Sequence, residues 1–248
     1  MKVIECNQRS MQWFQAHCGI VTASSMESVL DITKKGEPGA KRKTYLRQKL
    51  AELLTGIAIQ QNYVSFAMQG GVEKEPLGIA AYEREEGVMV DSIGFALHDS
   101  IPRLGCSPDG LVGDDGLIEL KCPLPGTHLQ YVMDCVIPEM YLAQIQTQLL
   151  VTGRAWCDFA TFSPEVPKPA RLMVIRYERK AEDMAFIEKA VTDFNAEIDA
   201  AVEKLRSIVG PFELPAAVQE VEPAAEDFGD LGLSDADGAA FISGKVAI

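Results

Sequence analysis

Three short apolar runs, 104–107, 111–112 and 117–122, are separated by Pro108-Asp109-Gly110 and by Gly113-Asp114-Asp115-Gly116. Both separators are turn chemistries, so the runs read as consecutive strands that reverse on one another. In the last run, Leu117-Ile118-Glu119-Leu120-Lys121-Cys122, side chains alternate between faces. Ile118, Leu120 and Cys122 point toward a core, and Glu119 and Lys121 lie together on the other face. An acid and a lysine in so apolar a strand need a reason, because unpaired charge on a covered sheet is costly. A surface ion pair on a half-exposed strand would be the ordinary one. Asp109 points elsewhere. It lies ten residues before Glu119, and a hairpin of that length returns it alongside. Two carboxylates held close repel unless a cation lies between them. Oxygen donors suit Mg²⁺, with Mn²⁺ as a substitute. Such a site can activate water and stabilise charge on a phosphoryl oxygen, while the Lys121 ammonium orients the attack and neutralises developing charge. The residues themselves therefore indicate metal-dependent phosphodiester chemistry.

Around this hairpin the chain reads as an α/β domain. Ser10 is placed to cap a short helix carrying Met11, Trp13 and Phe14. Residues 19–25 read as a turn ending on N-cap residues for a second short helix, 26–30. Tyr45, Leu46, Leu50, Leu53 and Leu54 follow a helical period that stops at Gly56. Gly70-Gly71 precedes a helix through Ile79, Ala80 and Tyr82. Strands are expected over 88–97, 155–162 and 172–178, and a helix over 138–151. Met184, Ile187, Val191, Phe194, Ile198, Val202 and Leu205 recur three and four apart on a long helix that Gly210-Pro211 ends. The expected organisation is one domain over 1–212 and an acidic, Ala/Pro-rich tail over 213–248, with a short apolar motif at Phe228, Leu231, Leu233, Phe241 and Ile242.

The net charge of −13 argues at first against a nucleic-acid partner, but its distribution matters more than its sum. Residues 213–248 hold eight acids and one lysine, whereas 34–49 hold Lys34, Lys35, Lys41, Arg42, Lys43, Arg47 and Lys49 against Glu37 alone. The six cysteines, at 6, 18, 106, 122, 135 and 157, lack metal-site spacing and read as reduced thiols. His98 and His128 read as surface or loop residues. No apolar run is long enough to span a bilayer and no signal peptide is visible, so the expectation is a soluble protein of the cytoplasm.

Pro108-Asp109 and Glu119-Leu120-Lys121 match the pattern of the PD-(D/E)XK nuclease superfamily literally. Further segments sharpen this: Cys106 to Leu111, Gly116-Leu117, Glu119 to Pro123, and Tyr141 to Gln146, with Trp13, Gly19 and Thr22-Ala23-Ser24 upstream. Together they resemble the lambda-phage exonuclease and YqaJ-type viral recombinase nucleases over residues 8–208, nearly the whole body. The resemblance implies a restriction-endonuclease-like core, a central mixed β-sheet flanked by α-helices. It implies Asp109 and Glu119 as metal ligands, Lys121 as catalytic lysine, Glu75 as an ordering acid with Glu73 its rival, and Gln144 as a glutamine beside the catalytic centre. Ser24, at a helix N-terminus, fits a phosphate contact. Where the family has an arginine for the DNA end's 5′-phosphate, this chain has His17, a weaker and pH-dependent cation. Either another cation from the loop Lys34–Arg47, such as Lys41 or Arg42, would take over, or the enzyme would depend less on a 5′-phosphate; a charged His17 would make that dependence grow as pH falls toward about 6.

The same resemblance implies 5′-to-3′ exonucleolytic digestion of double-stranded DNA ends, 5′-mononucleotide products and 3′ overhangs. It also implies a homotrimeric ring, a single-strand annealing protein as partner, and a phage or prophage origin in a bacterial host. The alternatives are a RecB-like endonuclease or flap nuclease, or a DNA-end binding protein with a degenerate site.

Overall fold

The computed structural model describes residues 1–59 and 66–215, and of 66–69 the backbone alone. Strand β1 (Lys2–Ile4) leads to helix α1 (Met11–Ala16), whose first turn is capped by Ser10 Oγ accepting from Trp13 N at 3.1 Å. The segment read as a turn contains strand β2 (Val21–Thr22), followed by a 3-10 turn, Ala23–Ser25, and the four residues of α2 (Met26–Val29). Helix α3 (Ala40–Thr55) ends at Gly56, as its period predicts.

Helix α4 (Phe66–Glu86) begins earlier than Gly70-Gly71 suggested and runs through both glycines. The reason glycine suits this helix is packing. At Gly78 a Cβ would come within 2.7 Å of the Leu120 side chain, so the missing side chain lets the helix lie close against the sheet.

The expected strand over 88–97 divides into β3 (Val90–Asp91) and β4 (Phe95–Leu97), which join different sheets. Gly94 marks the crossing: a Cβ there would meet Ile4 O at 2.5 Å. Then come β5 (Leu104–Cys106), β6 (Gly110–Val112), β7 (Gly116–Lys121), α5 (Pro125–Asp134), α6 (Glu139–Thr152), β8 (Trp156–Phe162), β9 (Leu172–Glu178) and α7 (Ala181–Val209).

The strands form two mixed sheets rather than one, ordered β1-β4-β5-β2 and β3-β6-β7-β8-β9. In the larger, β7 is central, antiparallel to β6 and parallel to β8. Both of its faces are covered. Ile118 and Leu120 pack with Ala81 and Tyr82 of α4, while Leu117 packs with Ile145 and Leu149 of α6 and with Phe194 and Ile198 of α7. Burying each such large side chain stabilises the fold by roughly 1.5–3 kcal/mol. Glu119 therefore lies on a face closed by helix, not on a solvent face. The tail motif from Phe228 to Ile242 lies outside the described residues. No helix among the described residues is long and apolar enough to cross a membrane.

Candidate active site

The hairpin does what its length predicts. Gly110 pairs with Ile118 across β6 and β7, which sets Asp109 beside Glu119. Asp109 Oδ2 accepts from Leu120 N at 2.7 Å, locking the carboxylate onto the strand that carries its partner. Glu119 is 1% exposed. Its Oε1 accepts from Lys121 Nζ and from Gln144 Nε2 at 2.7 Å, and its Oε2 from Gln148 Nε2 at 2.5 Å. The two glutamines stand one turn apart on α6, so a single helix face grips both oxygens.

Electrostatics set the protonation states. Burial, then the Glu119 charge, pushes the Asp109 carboxyl well above its ordinary value, and Glu75 adds to the push. Burial works to lower the Lys121 ammonium, but Glu119 and Asp109 outweigh it and raise its pKa. Lys121 is thus a cation at neutral pH. In that form it can steady negative charge.

Glu75 reaches the site from α4, paired with Arg9 at 2.7 Å, while Glu73 is exposed to solvent. The N-terminal segment closes the other side. Trp13 Nε1 donates to Ser107 Oγ at 2.8 Å, Ser107 Oγ donates to Gly94 O at 2.7 Å, and Gln8 Nε2 donates to Pro108 O at 3.0 Å. These bonds hold α1 against the Pro108-Asp109 turn. The result is a cleft of ≈ 170 Å³ whose wall includes Asp109, Glu119, Lys121, Gln144, Ser24 and Arg9. Among the described residues no three His, Cys, Asp or Glu side chains are grouped so that they could hold a metal ion.

The phosphate-contact residues divide. Ser24 is exposed at the cleft wall, its hydroxyl 3.3 Å from that of Thr22, but it lies within the 3-10 turn, and Ser25 rather than Ser24 is the N-cap of the four-residue α2. His17 reaches the same cleft but not as a pH-dependent cation. Its ring lies between Trp13 and Phe95, and burial lowers its pKa to about 4, with Lys49 pushing the same way. Its Nδ1 is 2.6 Å from Trp13 O, an acceptor, so Nδ1 carries the proton and a neutral ring offers Nε2 only as an acceptor. That is the wrong polarity for a phosphate oxygen.

Arg42 is turned inward rather than exposed at the surface. It is 4% exposed and is held by Glu197 at 2.7 Å, by Val29 O and by the face of Phe194. Lys41 is exposed but paired with Glu27, beside Asp31 and Glu139 and away from the cleft. Lys49 is buried against Glu52, which leaves Lys34, Lys35, Lys41, Lys43 and Arg47 as the exposed part of the basic run.

His128, expected at the surface, is fully buried. Its Nε2 donates to Ala170 O at 2.7 Å and its Nδ1 meets Thr161 Oγ1 at 3.0 Å, which bolts α5 to β8. His98 lies in a loop as expected, where its Nδ1 accepts from Ser100 N and Ile101 N. All six cysteines are free thiols.

Gln148, Ser107 and Arg9 are among the cleft residues that carry no role from the sequence. Gln148 could have been found from its spacing of four after Gln144 on a helix. Ser107 adjoins Pro108-Asp109. Arg9 had no local signal, because it enters through a backbone in the left-handed region, φ 66°, that residue type does not predict.

A cleft of this kind, built on the central strand of a mixed sheet of restriction-endonuclease-like fold, places the chain among nucleases, hydrolases acting on DNA. Residues 12–155 match the YqaJ-like viral recombinase domain, and the chain belongs to that family. It is similar to the alkaline exonuclease LHK-Exo from Laribacter hongkongensis at 38% identity, covering 80% of this chain and 97% of that one with a TM-score of 0.73. It is equally similar, at 39% identity, to LHK-Exo in complex with dAMP. A phage-related exonuclease from Haemophilus somnus 129PT shares the fold at 15% identity, covering 75% of this chain and 96% of that one, with a TM-score of 0.59. No curated protein matches the chain. Family and neighbours together make this a phage-type exonuclease.

Proposed function

We propose that this protein is a Mg²⁺-dependent exonuclease that degrades one strand of duplex DNA from its 5′ end, releasing 5′-mononucleotides and leaving 3′ overhangs. The observation that carries the reading is the buried Asp109–Glu119 pair, with the Lys121 cation touching Glu119. The donor set fits the metal. Mg²⁺ is commonly held by one or two carboxylates and completed by substrate phosphate and water. The upward push on Asp109 comes first from burial and then from the Glu119 charge, and a bound cation would offset it. When bound, the ion would supply Lewis-acid stabilisation of the phosphoryl group and a more acidic water.

The protein's own residues do the rest. Asp109 and Glu119 would hold the cation, Gln144 fixes Glu119 by donating to its Oε1, and the Lys121 ammonium would neutralise charge that builds on a phosphate bound there. Glu75 is proposed as the ordering acid from α4, and Ser24 as a phosphate contact. A neighbour's dAMP is a deoxynucleoside monophosphate, the form expected of a mononucleotide product. Strand polarity, a homotrimeric ring around DNA, a single-strand annealing partner and a bacterial host cytoplasm are proposed from family membership.

The test is digestion of a linear duplex with Mg²⁺, labelled separately at each 5′ and 3′ end, with closed circular DNA beside it. Early release of 5′-terminal mononucleotide, intact circles and a drop of at least ~100-fold in Lys121→Ala are expected. Cuts in circles would replace the exonuclease reading with an endonuclease. Binding of ends without cleavage would replace it with a degenerate end-binder.

A further inference from the structure

Gln148 stands out in the cleft wall. It is completely buried, and its Oε1 is the one buried side-chain polar atom among the described residues without a hydrogen-bond partner. Buried polar atoms are nearly always paired, so an exception asks for a cause. The cause lies at the other end of the same amide. Its Nε2 donates to Glu119 Oε2 at 2.5 Å. Turning the amide over would satisfy nothing at Glu119, because it would set a carbonyl oxygen against a carboxylate oxygen. The side chain is therefore held in the orientation that serves Glu119 at the expense of its own carbonyl.

The neighbouring contacts do not make this grip redundant. Lys121 and Gln144 both act on Glu119 Oε1, and Gln148 alone acts on Oε2. Without it, Oε2 would have no partner and the last torsion of Glu119 would be restrained only through the contacts to Oε1. Metal-ligand orientation is commonly set by partners of this kind, and their loss lowers metal affinity by roughly 10–100-fold.

We propose that Gln148 is a positioning residue of the metal site, fixing Glu119 Oε2 so that the carboxylate meets the cation in one orientation. The proposal rests on the reading of Asp109 and Glu119 as metal ligands. It assigns separate oxygens to the two glutamines of α6.

Calorimetric titration of the full-length protein with Mn²⁺, without DNA, tests it. Gln148→Met keeps the length of the side chain and removes the donor. It should weaken Mn²⁺ binding about tenfold or more while the far-ultraviolet circular dichroism stays that of the wild type. Should Gln148→Met fail to fold, Gln148→Asn takes its place: it keeps the amide but falls one methylene short of Glu119, and the same loss is expected. Mn²⁺ affinity within about twofold of wild type in a folded variant would overturn the positioning role and leave the metal site standing. A wild-type protein that binds no Mn²⁺ would overturn the metal reading, and the role of Gln148 with it.

Discussion

His17 occupies the position at which the family resemblance implies a phosphate-gripping arginine, yet its imidazole is wedged between Trp13 and Phe95. Burial depresses its pKa to about 4. With the folded value below the ordinary one, the neutral ring's contribution to stability is present above the usual histidine range and is lost as pH falls toward about 4. Between pH 6 and 9 nothing titrates at this side chain. The preference of the nuclease for a 5′-phosphorylated over a 5′-hydroxyl end should therefore be the same, within about twofold, at about pH 6 and pH 9. Initial rates on the two ends at each pH measure it, and a preference that rises at the lower pH would show a charged ring. Histidine in place of arginine was legible in the sequence. Its neutrality was not, because that comes from Phe95, far away along the chain and joined to His17 only by the fold.

At the scale of elements, Arg42 shows how a residue read as surface charge becomes structural. The sequence places it in a basic run on α3, and the run does form a helix. Which side of that helix faces inward depends on α7, which brings Glu197 and Phe194 to the guanidinium. Arg42→Ala should lower unfolding free energy by about 1–3 kcal/mol, the scale of a largely buried, hydrogen-bonded charge losing its role, discounted for the exposure of Glu197. DNA-end affinity should be unchanged. Thermal melts and a binding isotherm decide it, and lost affinity without lost stability would return Arg42 to the DNA surface.

The same distinction explains what could be read in advance. The Asp109–Glu119 hairpin, β8, β9, α6 and the apolar stripe of α7 were visible because local spacing and turn chemistry determine them. The second sheet was not. Its strands β4 and β5 fall inside the expected runs 88–97 and 104–107, but β1 and β2 are two or three residues long, too short for periodicity to register, and they pair with β4 and β5 across long sequence distances. The Lys49–Glu52 pair and His128 were misplaced for a related reason, since a polar residue becomes interior only through partners that distant segments supply.

For the whole molecule, the charge budget is the remaining physical constraint on a protein that must approach DNA. Residues 216–248 carry seven acids against Lys245 alone, nearly half of the net charge of −13. Charge of that sign lowers the local concentration of a polyanion and slows its approach, and added salt screens the effect. All of the hydrophobic core described here lies before residue 203, so a chain ending at Pro215 keeps every core contact. Such a chain should bind DNA ends a few-fold more tightly than the full chain at low ionic strength, about 0.02 M, where the Debye length exceeds 20 Å. The difference should vanish near about 0.3 M salt. Equilibrium binding across a salt series reads this directly. A truncated chain that binds more weakly at every salt concentration would mean that the tail contributes contacts to DNA or to assembly that outweigh its repulsion, and the acidic residues would then have to be placed facing away from the duplex.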